Sequence, residues 1–200
     1  MRKINEIFYS IQGEGCRTGV PSVFIRFSGC NLQCGFCDTE HERGVAMKDE
    51  EIIEEVKRYP AKQIVLTGGE PSLFIDSEFI RKLKSVTGME ITIETNGTRT
   101  LPEGIDWVTV SPKLGMSKTG DSSIARGLKA DELKVVDVGQ PLEPYFNLEC
   151  VDAQTVLLLQ PCYDADEEIR KKNTRRTIQR VLDDPRWRLS LQTHRYMGIR

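Results

Sequence analysis

Three cysteines crowd one short stretch of the chain, GCNLQCGFCDT over residues 29–39: Cys30, Cys34 and Cys37. Clustered thiols in a reducing compartment bind metal more often than they pair as disulfides. Three thiolates are one too few for a closed tetrahedral zinc site, which here would have to recruit a ligand such as His41. An iron–sulfur cube accepts the same three thiolates and keeps one iron without a protein ligand, open to the N and O donors of a small molecule. The open iron is then the working position.

Other residue types point to the ligand that would meet it. Arg26 interrupts the apolar run SVFIRF (22–27), where Val23, Ile25 and Phe27 share one face and Phe24, Arg26 and Ser28 the other. A buried guanidinium needs an anion. Either an acidic side chain supplies it, or the arginine forks onto a ligand carboxylate, a geometry lysine does not offer. In SIQGEG, Gln12 and Glu14 flank Gly13 and offer an amide, a carboxylate and close backbone to the edge of a heterocycle; the bland alternative is a glycine turn. In WRLSLQTH, Trp187, Leu189 and Leu191 alternate with Ser190, Gln192 and His194, so a strand would turn His194 towards a polar interior for ligand contact or proton transfer.

The elements that must position these groups alternate between two periods. Strands are expected at 22–27, 63–67, 90–95, 107–111, 132–136, 155–160 and 188–193. Helices are expected at 48–58 (Ile52, Ile53 and Val56 on one face), 77–86 (Phe79, Ile80, Leu83, Val86) and roughly 166–182 (Ile169, Ile178, Val181, Leu182). Asp164 and Glu167 suit the start of the last helix, Asp183-Asp184-Pro185 its end, and its RKKNTRR cluster reads as a solvated face. Seven strands sharing three helices imply an α/β fold, an incomplete, splayed (β/α) barrel of parallel strands, with reactive groups at the strands' carboxyl ends. The polar strand ends TGGEP (67–71), ETNG (94–97), SPK (111–113), QP (160–161) and QTH (192–194) converge there.

Two hundred residues suit a single domain, 1–200. A net charge of −2 argues against a nucleic-acid binder. With no signal-peptide pattern and no membrane-spanning run, the chain is expected to be soluble and cytoplasmic. Cys16, Cys150 and Cys162 are scattered and read as buried or idle thiols. Residues 114–130 are poorly patterned and suggest only a mobile cover.

The cysteine spacing, with Phe36 before the last cysteine and Gly-Gly-Glu at 68–70, resembles the radical S-adenosylmethionine superfamily. FYSIQGEG (8–15), FIRFSGCNLQCGFCDT (24–39), TGGEPSL (67–73), ETNGT (94–98), SPK (111–113), LQP (159–161) and LQTHRYMGIR (191–200) together resemble the 7-carboxy-7-deazaguanine synthase family, in the family's order. That resemblance implies a 4Fe–4S cluster on Cys30, Cys34 and Cys37, S-adenosylmethionine on its open iron, and a 5′-deoxyadenosyl radical. It implies conversion of 6-carboxy-5,6,7,8-tetrahydropterin to 7-carboxy-7-deazaguanine with loss of ammonia, feeding deazapurines such as queuosine. It also implies Mg²⁺ on Thr39, although Asp38 looks the better ligand by residue type and a local turn suits both. Substrate would meet Ile11, Gln12, Gly13, Glu14, Arg26, Thr67, His194 and Arg200, the last through a terminal segment closing over the pterin amine. The cofactor would meet Gly69, Glu70, Glu94, Ser111, Pro112, Lys113 and Gln160, Glu70 either as charge or as a brace. Expected partners are an external one-electron reductant of flavodoxin or ferredoxin type and a second copy of the chain, with no nucleic acid or membrane. The rivals are a glycyl-radical activase and a zinc-binding interaction module.

Overall fold

Seven strands run parallel, at the places the sequence pattern marks, in a computed structural model that describes residues 1–37, 39–40 and 43–200. They are β2 (Pro21–Phe27), β4 (Gln63–Gly68), β5 (Glu90–Thr95), β6 (Trp107–Val110), β7 (Glu132–Asp137), β8 (Val156–Pro161) and β9 (Arg188–Leu189). Two further strands, β1 (Arg2–Ile11) and β3 (Val45–Met47), add antiparallel pairs at one edge. The order β3-β1-β2-β4-β5-β6-β7-β8-β9 leaves β3 and β9 at opposite edges, so the sheet curls without closing. Its helices are α1 (Asp49–Val56), α2 (Ser77–Thr87), α3 (Glu143–Phe146), α4 (Glu167–Asp183) and α5 (Thr193–Met197).

Alternation along the strands separates two environments. Outward residues build the cores: Val23, Ile25, Phe27, Ile64, Leu66, Ile91 and Ile93 pack against Ile52, Ile53 and Val56 of α1 and Phe79, Ile80 and Leu83 of α2. Farther round, Val110, Leu133, Val135 and Leu159 enclose Tyr145 and Trp187. Each such side chain contributes about 1.5–3 kcal/mol by leaving water. The inward residues are largely polar, and they form the lumen.

Several expectations change. β1 escapes a period-two search because a bulge between Ile4 and Glu6 breaks its phase. Ile4 and Ile7 then both face the core, while Glu6 stands opposite Arg26 and Phe8 opposite Phe24. The last strand stops at Leu189, not 193, and α5 follows. Thr193 donates from its N–H and its hydroxyl to the Gly13 carbonyl, which draws the chain off the sheet. His194 therefore sits on a helix, and Leu189, on a two-residue edge strand, is exposed. Val86, in the last turn of α2, is exposed as well, although it lies on the helix face of the buried Phe79.

Helix α4 turns most of its expected face to solvent. Ile169, Ile178 and Leu182 are exposed, Val181 alone of the expected four packs against the second core, and the one buried residue of the helix among those described is Thr177. Polar contacts dock it instead. Asp137, fully buried at the end of β7, accepts from Thr177 Oγ1 (2.8 Å), Arg180 (2.6 Å), Arg176 Nε (3.2 Å) and the Gly139 N–H (2.9 Å). Burial alone would raise the Asp137 carboxyl; these donors outweigh it and hold it below the ordinary carboxylate range. The helix is capped by Asp166, which accepts from the N–H groups of Glu168 and Ile169, not by Asp164. Asp164 accepts the Asp166 N–H one step earlier.

Candidate active site

The loop after β2 carries the three cysteines and is held from three sides. Gly69 and Glu70 grip its start: the Glu70 N–H donates to the Gly29 carbonyl at 2.9 Å. Asn31 donates to Thr98 (2.8 Å) and accepts from Asn96 (3.1 Å) on the loop after β5. Residues 114–120, expected only as a cover, brace its outer side: the Lys118 N–H donates to the Gln33 carbonyl (3.0 Å), the Gln33 N–H to Ser117 Oγ (2.9 Å), and Cys34 bridges Ser117. Burial pushes the Cys30 and Cys34 thiols up.

All three thiols border one cavity of about 610 Å³ that continues into the barrel lumen. Among the described residues, no group of three or more His, Cys, Asp and Glu is placed to hold one metal ion. His41 and Asp38 lie outside them. Three cysteine thiols lining one open cavity suit the corners of a cube, each on its own iron. The donor set therefore fits a 4Fe–4S cluster.

The lumen behind is a charged network. Lys134, inward on β7, donates to Glu14 and lies 3.4 Å from Glu94 Oε1. Glu94 also accepts from Gln12 (3.0 Å) and Thr67 (3.3 Å), and Glu14 from Gln192 (2.8 Å). Burial would raise the Glu14 carboxyl, but the Lys134 charge overrides it and holds the group at about 2. Toward β1, Glu6 accepts from Arg26 Nε (2.9 Å) and from Arg200, and both guanidiniums lie over the Phe8 ring, which stacks on Phe24 at 4.9 Å. Ser10 donates to the Arg200 carbonyl at 2.6 Å, latching the last residue to β1.

Most sequence candidates meet in this cavity. Ile11, Gln12, Gly13, Glu14, Arg26, Thr67, His194 and Arg200 line it, as do Gly69, Glu94, Ser111, Lys113, Gln160, Thr39 and the three cysteines. Glu70 and Pro112 do not. The Glu70 carboxylate is committed to the Ser72 N–H (3.0 Å), Thr95 Oγ1 (2.6 Å) and the Asn96 N–H (2.7 Å), so it braces the loop and does not face the cofactor space. Glu94, expected on the cofactor rim, is tied into the lumen network. The acidic partner weighed for Arg26 exists, and it is Glu6.

Gly69 earns its place by proximity: a Cβ there would stand 2.1 Å from the Gly29 carbonyl oxygen. Gly69→Val is expected to displace the cysteine loop while the sheet survives. Anaerobically reconstituted G69V should hold at most about half the parent's iron with an unchanged far-UV spectrum; full iron content would refute the packing argument.

A model of the radical SAM superfamily matches residues 24–115, and the open parallel sheet with a three-thiol cavity defines a protein of that class. Over 200 residues the chain is 54% identical to a 7-carboxy-7-deazaguanine synthase of Bacteroides thetaiotaomicron, covering all of both, and 40% identical over 224 residues to one from Nitratidesulfovibrio vulgaris, covering 98% of each. The crystal structure of QueE from Escherichia coli superposes with a TM-score of 0.76 at 31% identity, covering 95% of this chain and 93% of that one. The chain belongs to the 7-carboxy-7-deazaguanine synthase family.

Proposed function

We propose that this radical SAM protein converts 6-carboxy-5,6,7,8-tetrahydropterin into 7-carboxy-7-deazaguanine, releasing ammonia, in deazapurine biosynthesis. The observation that carries the reading is one cavity of about 610 Å³ lined both by the three cysteines and by the charged residues Glu14, Arg26, Glu94 and Lys134. A 4Fe–4S cluster held by Cys30, Cys34 and Cys37, with S-adenosylmethionine on its open iron, would supply one-electron radical chemistry at the substrate. The chain's own residues bind, orient and enclose.

Arg26, fixed by Glu6 through Nε, offers a charge-assisted fork to the substrate carboxylate. Gln12, Glu14 and the backbone at Ile11 and Gly13 read the pyrimidine edge, with Thr67 beside them. His194 stands against Gly13, where a Cβ would come within 2.3 Å of its Nδ1, close enough to the lumen to manage a proton as ammonia leaves. Arg200, latched to β1, narrows the mouth. Gly69, Ser111, Lys113 and Gln160 border the space for S-adenosylmethionine, and the Thr39 hydroxyl is the Mg²⁺ donor of this reading. No described helix is long and apolar enough to cross a membrane. The reading keeps a flavodoxin- or ferredoxin-type reductant and a second copy of the chain as partners, and the outward Ile178 and Leu182 of α4 suit the latter. The activase reading gains no support from the relatives above, or from a cavity partly walled by His194, Arg195 and Arg200.

The test is anaerobic turnover. Reconstituted protein with S-adenosylmethionine, Mg²⁺, the carboxytetrahydropterin and a one-electron reductant should form the deazaguanine acid and one ammonia per product. Cofactor cleavage without that product would defeat the substrate assignment.

A further inference from the structure

Lys134 has no part in the reading above beyond lining the cavity, yet its ammonium and the Glu14 carboxylate together join four segments. It is 4% exposed, in the middle of β7, and its Nζ contacts Glu14 from the loop after β1 and Glu94 from β5, while Gln192 before α5 holds the far oxygen of Glu14. A buried ion pair is a poor stabiliser, since well-packed apolar side chains of similar volume often serve the fold as well or better. Retaining one at a cavity wall, with its carboxylates bordering the ligand space, calls for a purpose on the ligand side.

The chemistry supplies one. A pterin presents a 2-amino group and a ring N–H side by side, two donors that match an ionised carboxylate. The corresponding 2,4-dioxo ring presents a carbonyl in place of the amino group and sets oxygen against oxygen. A site built to receive a donor pair rejects the analogue that lacks one of them, because its buried acceptor is left unpaired. We propose that Lys134 is the specificity-determining positioning residue of this site: it keeps Glu14 charged and aimed, so the lumen takes a 2-amino-4-oxo ring in preference to a 2,4-dioxo ring. This rests on the pterin reading.

The groups that face Glu14 set the pH behaviour. Lys134 stands on β7 with Glu132 farther along the strand, Glu94 on β5, and His194 on α5. Without Lys134, burial and the Glu94 charge both favour the protonated form of Glu14, which donates where it should accept.

The experiment measures equilibrium binding of 6-carboxypterin and 6-carboxylumazine to cluster-loaded protein with S-adenosylmethionine, without reductant, so that no chemistry intervenes. The parent should prefer the pterin by at least about tenfold. Lys134→Met should bring the two ligands within about twofold. Relative to the parent, it should also lose pterin affinity as the pH falls from about 8 to about 6. Lys134→Arg should restore both properties. A folded K134M with the parent's preference and pH profile overturns the proposal. Should K134M not fold, Glu14→Gln decides, since it leaves Lys134 paired with Glu94: loss of the preference supports the assignment, and retention refutes it. A parent that binds neither acid defeats the pterin reading itself.

Discussion

Replacing Cys34 with alanine is expected to end the chemistry while leaving the fold in place. The residue lies on a loop outside both apolar cores, and its contact with Ser117 is a backbone bridge that alanine preserves. Its thiol borders the cavity with those of Cys30 and Cys37, and the cube needs all three anchors if one iron is to be open and the rest secure. Reconstituted C34A should fall well short of the about four irons per chain of the parent. Methionine release on reduction and deazaguanine formation should drop by at least about a thousandfold, since no other group can deliver the electron. Far-UV dichroism and melting temperature of the two apoproteins should agree. Full iron with undiminished methionine release would remove the cluster from the mechanism.

Asp137→Ala should have the largest effect on stability. The carboxylate ties β7 to a helix whose inward contacts are almost all polar, and its removal leaves Arg176, Arg180 and Thr177 short of an acceptor. Breaking a buried pair costs about 3–5 kcal/mol, and the partial exposure of both arginines places this one near the lower figure. For a chain of this length, about 3 kcal/mol corresponds to a fall in Tm of about 6–12 °C. The pH dependence has a definite sign. A carboxyl held below its unfolded value adds stability above the ordinary carboxylate range, near pH 4, and that share disappears as pH falls through the folded value. The difference in Tm between the parent and Asp137→Asn should therefore narrow as the solution is made acid. A constant gap would show that the carboxylate's charge is not what docks α4.

The seven parallel strands and the cysteine loop were legible because both signals are local: β-branched runs ending in glycine or polar residues, and thiols at fixed spacing. Arg26 was found by a charge inside an apolar strand. Lys134 carries the same mark, between Leu133 and Val135, and was overlooked because its carboxylate partners come from distant segments. Glu6 gave no signal, since its pairing with Arg26 depends on a bulge that no periodicity reveals. The face of α4 was misjudged for a physical reason. Apart from Val181 its buried side is polar, so a search for apolar spacing selects mostly residues that face solvent. The tail after Leu189 read as a strand by alternation alone, while its true path follows two hydrogen bonds to Gly13, 180 positions earlier.

That last contact, with the Ser10 to Arg200 latch across 190 positions, fixes when the lumen can come into being. The cysteines lie early in the sequence, whereas Gln192, His194, Arg195 and Arg200, which line the same cavity, come from 191–200. Pairings over such separations close late and slowly. A chain that stopped short of α5 would carry its three thiols on a cavity with one wall missing.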